Sequence, residues 1–112
     1  MSSQPGLTLK VEDLTLVDNA TTIAPSANRT ICRFASDLSE SISIDVDFSN
    51  CELGDELIII FAINSEGVYL NFNDKFSING GNGDQQFTPR QNEWALSFIF
   101  DGDRFISTYE HC

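Results

Sequence analysis

Apolar residues recur with a period of two along most of this chain, and no stretch of useful length shows the 3.6-residue period of an α-helix. The clearest case is SISIDVDF (41–48), which places Ile42, Ile44, Val46 and Phe48 on one face of a strand and Ser and Asp residues on the other. Turn-forming residues separate several such segments. The sequence therefore predicts an all-β fold, an antiparallel β-sandwich or jelly roll of about eight to ten short strands.

The length of 112 residues and the 41% hydrophobic content favour one packed domain over two. We predict a flexible N-terminal tail over residues 1–6, which contains Pro5 and Gly6, and a single β-sandwich domain over 7–112. The N-terminus lacks the basic and then apolar pattern of a signal peptide, and no apolar run has the length of a membrane span. We expect a soluble protein that is made in a cytoplasm.

The chain is strongly acidic, with six Lys and Arg side chains against seventeen Asp and Glu and a formal net charge of −11. Binding to nucleic acid depends on basic side chains that neutralise phosphates, and anionic membrane surfaces attract the same side chains. The composition therefore argues against both partners. It favours a soluble surface whose charge keeps molecules apart.

No combination of residues predicts catalysis, a metal site or a cofactor. The single histidine, His111, is the penultimate residue, which is a poor place for a rigidly oriented imidazole. Cys32, Cys51 and Cys112 are widely spaced without a C-x-x-C pair, so we expect free thiols in a reducing compartment. We predict a protein that is not an enzyme.

Two segments are apolar on both faces, whereas a strand with one solvated face carries polar residues on that face. The first is 57–63, and the second is the hairpin 95–106. A two-residue turn at Gly102-Asp103 would place Phe100 opposite Phe105 and Ile99 opposite Ile106. One face of this hairpin then carries Phe side chains and the other carries Ile side chains.

A second apolar face has to be covered by the chain's own loops, by a closed barrel wall, by the N-terminal segment or by another copy of the chain. We favour self-association. The candidate oligomer interface consists of Ile58, Ile60, Ile99 and Ile106. Which face of each strand is core and which is interface stays open at this point.

A second hypothesis is a monomeric β-sandwich module that binds glycan or peptide through the loops of 80–93. Its candidate ligand residues are Asn82, Asp84, Arg90 and Trp94. Polar loop side chains beside an exposed aromatic ring are typical of such sites.

The segments TTIAPSANRTICRF, SISIDVDFSNCELGDELIIIFAIN and NEWALSFIFDGDRFIST, in this order, resemble small β-sandwich domains of bacteriophage virion proteins. These domains form capsid decoration proteins and the tips of head fibres, tail fibres and neck appendages. The resemblance covers roughly residues 20–110 and implies a homotrimer in the virion, made in the host cytoplasm, in contact with other virion structural proteins. The chain has no shaft, repeat or coiled coil, which favours a compact decoration or tip protein over a whole fibre.

Overall fold

Ten β-strands make up the regular structure of the computed structural model, which describes residues 8–78, 83–87 and 93–108. They are β1 (Leu9–Leu14), β2 (Ala20–Ile23), β3 (Arg29–Phe34), β4 (Ile42–Val46), β5 (Glu56–Phe61), β6 (Val68–Phe72), β7 (Phe76–Ser77), β8 (Gly83–Phe87), β9 (Trp94–Phe100) and β10 (Phe105–Ser107). A six-stranded sheet has the order β1-β3-β5-β9-β10-β7, and a four-stranded sheet has the order β2-β4-β6-β8. The two inner faces enclose the core.

The first six strands alternate between the two sheets, and β1 to β4 each pair in parallel with the strand two positions later in the chain. β1, β3 and β5 are parallel neighbours in one sheet, and β2, β4 and β6 are parallel neighbours in the other. This part of the chain is therefore a β-solenoid of about three turns.

The prediction of an all-β fold is confirmed, and the prediction of an antiparallel sandwich or jelly roll is wrong. The alternation of apolar and polar residues indicates which side of a strand faces the core. This alternation is the same whether the neighbouring strands are parallel or antiparallel. Most of the predicted strands are present, and β8 forms within the predicted loops of 80–93. The segments between the first six strands carry the chain across to the opposite sheet instead of back in a hairpin.

The C-terminal strands reverse direction and close the solenoid. β8 is antiparallel to β6, and the β9–β10 hairpin is inserted between β5 and β7. β7 runs in the direction of β5, as the strand of a fourth turn would. The hairpin occupies the place where β7 would otherwise pair with β5.

The hairpin has the register predicted from its sequence, with Phe100 opposite Phe105 and Ile99 opposite Ile106. Gly102 has a φ of 98°, which suits the first position of the turn. The Asp101 carboxylate accepts hydrogen bonds from the backbone N–H groups of Arg104 and Asp103, at 2.8 Å each, and these bonds lower its pKa. The turn is therefore fixed by its own residues.

The core is almost entirely apolar, and its C-terminal end is a cluster of phenylalanines. Phe76 lies at the centre of this cluster, with its ring centroid 5.1 Å from Phe72, 5.3 Å from Phe98 and 6.2 Å from Phe105. All four rings are fully buried. The Phe face of the hairpin therefore seals the end of the solenoid.

A ladder of polar side chains fixes the register where β1, β3 and β5 begin. The Thr8 N–H and hydroxyl donate to Asn28 Oδ1 at 3.1 and 3.2 Å, and the Asn28 N–H donates to Thr8 Oγ1 at 2.8 Å. On its other side, Asn28 Nδ2 donates to the buried Asp55 carboxylate at 3.4 Å. Because these three residues are equivalent positions of successive turns, the ladder aligns the turns.

Two of the three cysteines lie in the described residues, and both are free thiols. Burial raises the pKa of Cys32 to about 12, with a smaller contribution from Glu12, and raises that of Cys51 to about 11. Both thiols are therefore protonated at neutral pH. Cys112 and His111 lie outside the described residues, as does the predicted tail 1–6.

The described residues include no helix that is long and apolar enough to cross a membrane.

The Phe cluster predicts a large difference between two aromatic truncations. Phe98→Ala removes a fully buried ring and should lower the free energy of unfolding by about 3–5 kcal/mol. Tyr69→Ala, on the outer face of the four-stranded sheet, should change it by less than about 1 kcal/mol. Urea denaturation of both variants measures the difference, and equal losses would contradict this description of the core.

Candidate interaction surface

The outward side of the six-stranded sheet is largely apolar, and we call it the apolar face. The parallel register places Val11, Ile31 and Ile58 side by side in one row across β1, β3 and β5. Further rows on either side complete the surface. Its apolar members are Leu9, Val11, Ile31, Ile58, Ile60, Ala95, Ile99 and Ile106.

All four residues of the predicted oligomer interface lie on the apolar face. Ile99 and Ile106 are 38% and 39% exposed, and Ile58 and Ile60 are half-buried between their neighbours in the sheet. The alternate side chains of the same strands form the core, where Leu57, Ile59 and Phe61 are fully buried. The structure thus decides which face is core, and it brings the four residues onto one surface.

Three residues of this surface, on β1 and β3, were missed by the sequence analysis. Leu9 and Val11 on β1 are each 61% exposed, and Ile31 on β3 is half-buried. The segments LTLKV and TICRF do alternate, but their outward residues join Ile58 only once the strands are known to be parallel neighbours. Parallel pairing was the missing information.

Two ion pairs flank the central row of the apolar face. Arg29 Nε lies 3.0 Å from Glu56 Oε1 on one side, and Arg33 Nε lies 3.6 Å from Asp13 Oδ1 on the other. The two basic and two acidic side chains cancel, so the net charge of −11 is carried by other parts of the chain. Charge repulsion between copies is therefore weakest where the apolar residues are.

An open depression of ≈ 500 Å³ adjoins the apolar face at the start of its strands. Its lining includes Leu53, which is 76% exposed on the β4–β5 loop, together with Leu9, Ile99 and the Arg29–Glu56 pair. Asp55 holds the loop in place, since its carboxylate accepts a hydrogen bond from the Glu52 N–H at 2.9 Å.

The outward side of the four-stranded sheet, which we call the polar face, has the opposite character. Apart from Ala20 and the ring of Tyr69, its side chains are polar. The outward residues of this face, including these two, are Ala20, Thr22, Ser43, Asp45, Tyr69, Asn71 and Gln86. One side of the solenoid is thus suited to water and the other to contact with protein.

Asp45 is the centre of a polar cluster at the edge of the polar face. Its carboxylate accepts hydrogen bonds from Asn73 Nδ2 and from the Val46 N–H, and it lies 3.2 Å from Lys75 Nζ. Partial burial raises the pKa of Asp45, but these hydrogen bonds and the ion pair outweigh that effect and lower it. Asp45 is therefore held in its charged form.

The structure describes only part of the predicted ligand loop. Asn82 and Arg90 lie outside the described residues, and Asp84 belongs to β8. Trp94 is half-buried, with its ring edge-on to Phe87 at a centroid distance of 5.1 Å, and it packs against the core. The Trp94 ring therefore contributes to the packing of the core.

Comparison with protein families, curated proteins and solved structures finds no match. Among residues 8–78, 83–87 and 93–108, no three His, Cys, Asp or Glu side chains are grouped so as to hold a metal ion. The apolar face is the surface whose composition points most directly to a use.

The lowered pKa of Asp45 predicts how stability depends on pH. A carboxyl whose pKa is lower in the folded state stabilises the fold above its ordinary pKa of about 3.9, and the effect is lost as the pH falls below that value. Asp45→Asn should therefore lose less stability than the parent between pH 7 and pH 3, as measured by urea denaturation. Glu66→Gln, in an exposed turn, is the charge-matched control, and an identical acid loss in Asp45→Asn and the parent would contradict the assignment.

Proposed function

We propose that this chain is a non-enzymatic structural subunit of a bacteriophage virion, a capsid decoration or fibre-tip protein that forms homotrimers through its apolar face. The observation that carries the proposal is the contrast between the two outward sides of one solenoid. The polar face presents mostly polar side chains, whereas the apolar face presents rows of Ile and Val side chains.

The size of the apolar face supports its burial against other copies. Six strands about 4.8 Å apart, with a mean length of about five residues, give a sheet face of about 400 Å². The largest apolar patch on a typical monomeric protein is of about this size and is often functional. Burial of its apolar part is worth about 25 cal/mol for each Å² removed from water.

The layout of the apolar face supports a threefold arrangement. Its central row of Val11, Ile31 and Ile58 runs from turn to turn, parallel to the axis of the solenoid. A threefold axis parallel to the solenoid brings three such rows together. The flanking ion pairs then lie at the margins of each contact, which matches the apolar centre and polar rim of protein interfaces.

The distribution of charge supports the same arrangement. The charged groups of the apolar face cancel, while the acidic excess remains on surfaces that would stay in water. This excess keeps finished assemblies apart without opposing contact at the apolar face. The virion setting is supported by the sequence resemblance, and the trimer by the surface.

Ile99→Asp tests the proposal, because Ile99 is exposed enough in the single chain for the fold to accept a carboxylate. Inside an interface the same carboxylate would lose its water without gaining a partner. We expect the variant to keep the parent's circular dichroism spectrum and to bind its own copies at least tenfold more weakly in analytical ultracentrifugation.

Tyr69→Asp is the matched control, since it adds the same charge to the polar face. It should keep the parent's mass in solution. A folded Ile99→Asp variant with the parent's mass would disprove the interface. A parent that is monomeric throughout would instead favour the alternative of a monomeric glycan- or peptide-binding module.

A further inference from the structure

β1 lies at an edge of the six-stranded sheet, and it pairs with β3 on one side only among the described residues. The Thr8 carbonyl accepts a hydrogen bond from the Arg29 N–H at 3.1 Å. In a parallel ladder, a strand directs the backbone groups of alternate residues to the same side. Even-numbered residues of β1 therefore bond to β3, and Leu9, Val11 and Asp13 direct their N–H and C=O groups to the open edge.

We propose that this edge is a second interface, in which β1 pairs antiparallel with β1 of a second copy about a twofold axis through Val11. The axis is perpendicular to the sheet, so outward side chains stay on the outward side in both copies. Val11 then faces Val11 of the other copy in a hydrogen-bonded pair, and Leu9 and Asp13 form the pairs on either side. The two six-stranded sheets become one sheet of twelve strands.

The charged side chains of β1 favour this register over the neighbouring registers. Face and hydrogen-bond direction require odd residues to lie opposite odd residues, so the axis passes through a residue and not between two. The axes that pair at least five of residues 8–14 pass through residue 10, 11 or 12. An axis through residue 10 would place Lys10 opposite Lys10, and one through residue 12 would place Glu12 opposite Glu12. Only the axis through Val11 places Lys10 opposite Glu12, and it does so twice.

The side chains of Lys10 and Glu12 are already placed for this pairing. Both are on the inward side of β1, and Lys10 Nζ lies 2.9 Å from Glu12 Oε2 in the single chain. In the paired strands they would occupy positions without backbone hydrogen bonds, where opposing side chains come closest. Charges on an edge strand normally prevent pairing with other chains, and opposite charges two residues apart restrict pairing to one partner and one register.

This inference depends on the fold and not on the proposed function, and the test keeps the two apart. All chains carry Ile99→Asp, which disables the apolar face through a change on β9, three strands away from β1. Lys10→Glu and Glu12→Lys are made separately on this background. Each variant alone places like charges opposite each other twice, while a mixture of the two places opposite charges together twice.

We expect the Ile99→Asp chain to form dimers in analytical ultracentrifugation, and each charge variant alone to dimerise roughly tenfold more weakly. An equimolar mixture of the two should regain the dimer, as should the double variant Lys10→Glu/Glu12→Lys. A change in fold would not be repaired by mixing. Monomers of the Ile99→Asp chain at every concentration, unchanged dimers of the single variants, or a mixture no stronger than its components would overturn the inference.

Discussion

The parallel register of β1, β3 and β5 is the constraint on which the rest of the structure depends. A shift by one residue would turn Leu57, Ile59 and Phe61 outward and would bring Ile58 and Ile60 into the core. Both sets are apolar, so hydrophobicity selects this register only weakly. The ladder of Thr8, Asn28 and Asp55 supplies the missing specificity, because its hydrogen bonds form only when the turns are aligned.

The same register creates the apolar face and leaves β1 as an edge strand of the six-stranded sheet. Stacked turns bring outward residues of distant segments into rows, which is how Val11 becomes a neighbour of Ile31 and Ile58. At the C-terminal end the inserted hairpin and the Phe cluster close the stack. At the other end β1 carries Lys10 and Glu12 on its inward side, so the stack ends in charged groups rather than in apolar ones.

Local sequence predicted most of the strands and the hairpin register, but it did not predict β8, which lies in the predicted loops of 80–93, or the pairing within the sheets. The alternation of 41–48 and the turn at Gly102 depend on nearby residues, and both are found in the structure as expected. The turns of the solenoid are of unequal length, with 20 residues from Thr8 to Asn28 and 27 from Asn28 to Asp55. No regular repeat therefore marks the solenoid in the sequence, and parallel neighbours cannot be read from alternation.

The central claim is that the apolar face is buried between copies of the chain. Light scattering of the purified protein across a dilution series tests it most directly, because the mass needs no assumption about shape. We predict a mass that is three times that of the 12.4 kDa chain, or a multiple of three, and that persists on dilution. A single-chain mass at every concentration would contradict the account, since the apolar face would then be stable in water.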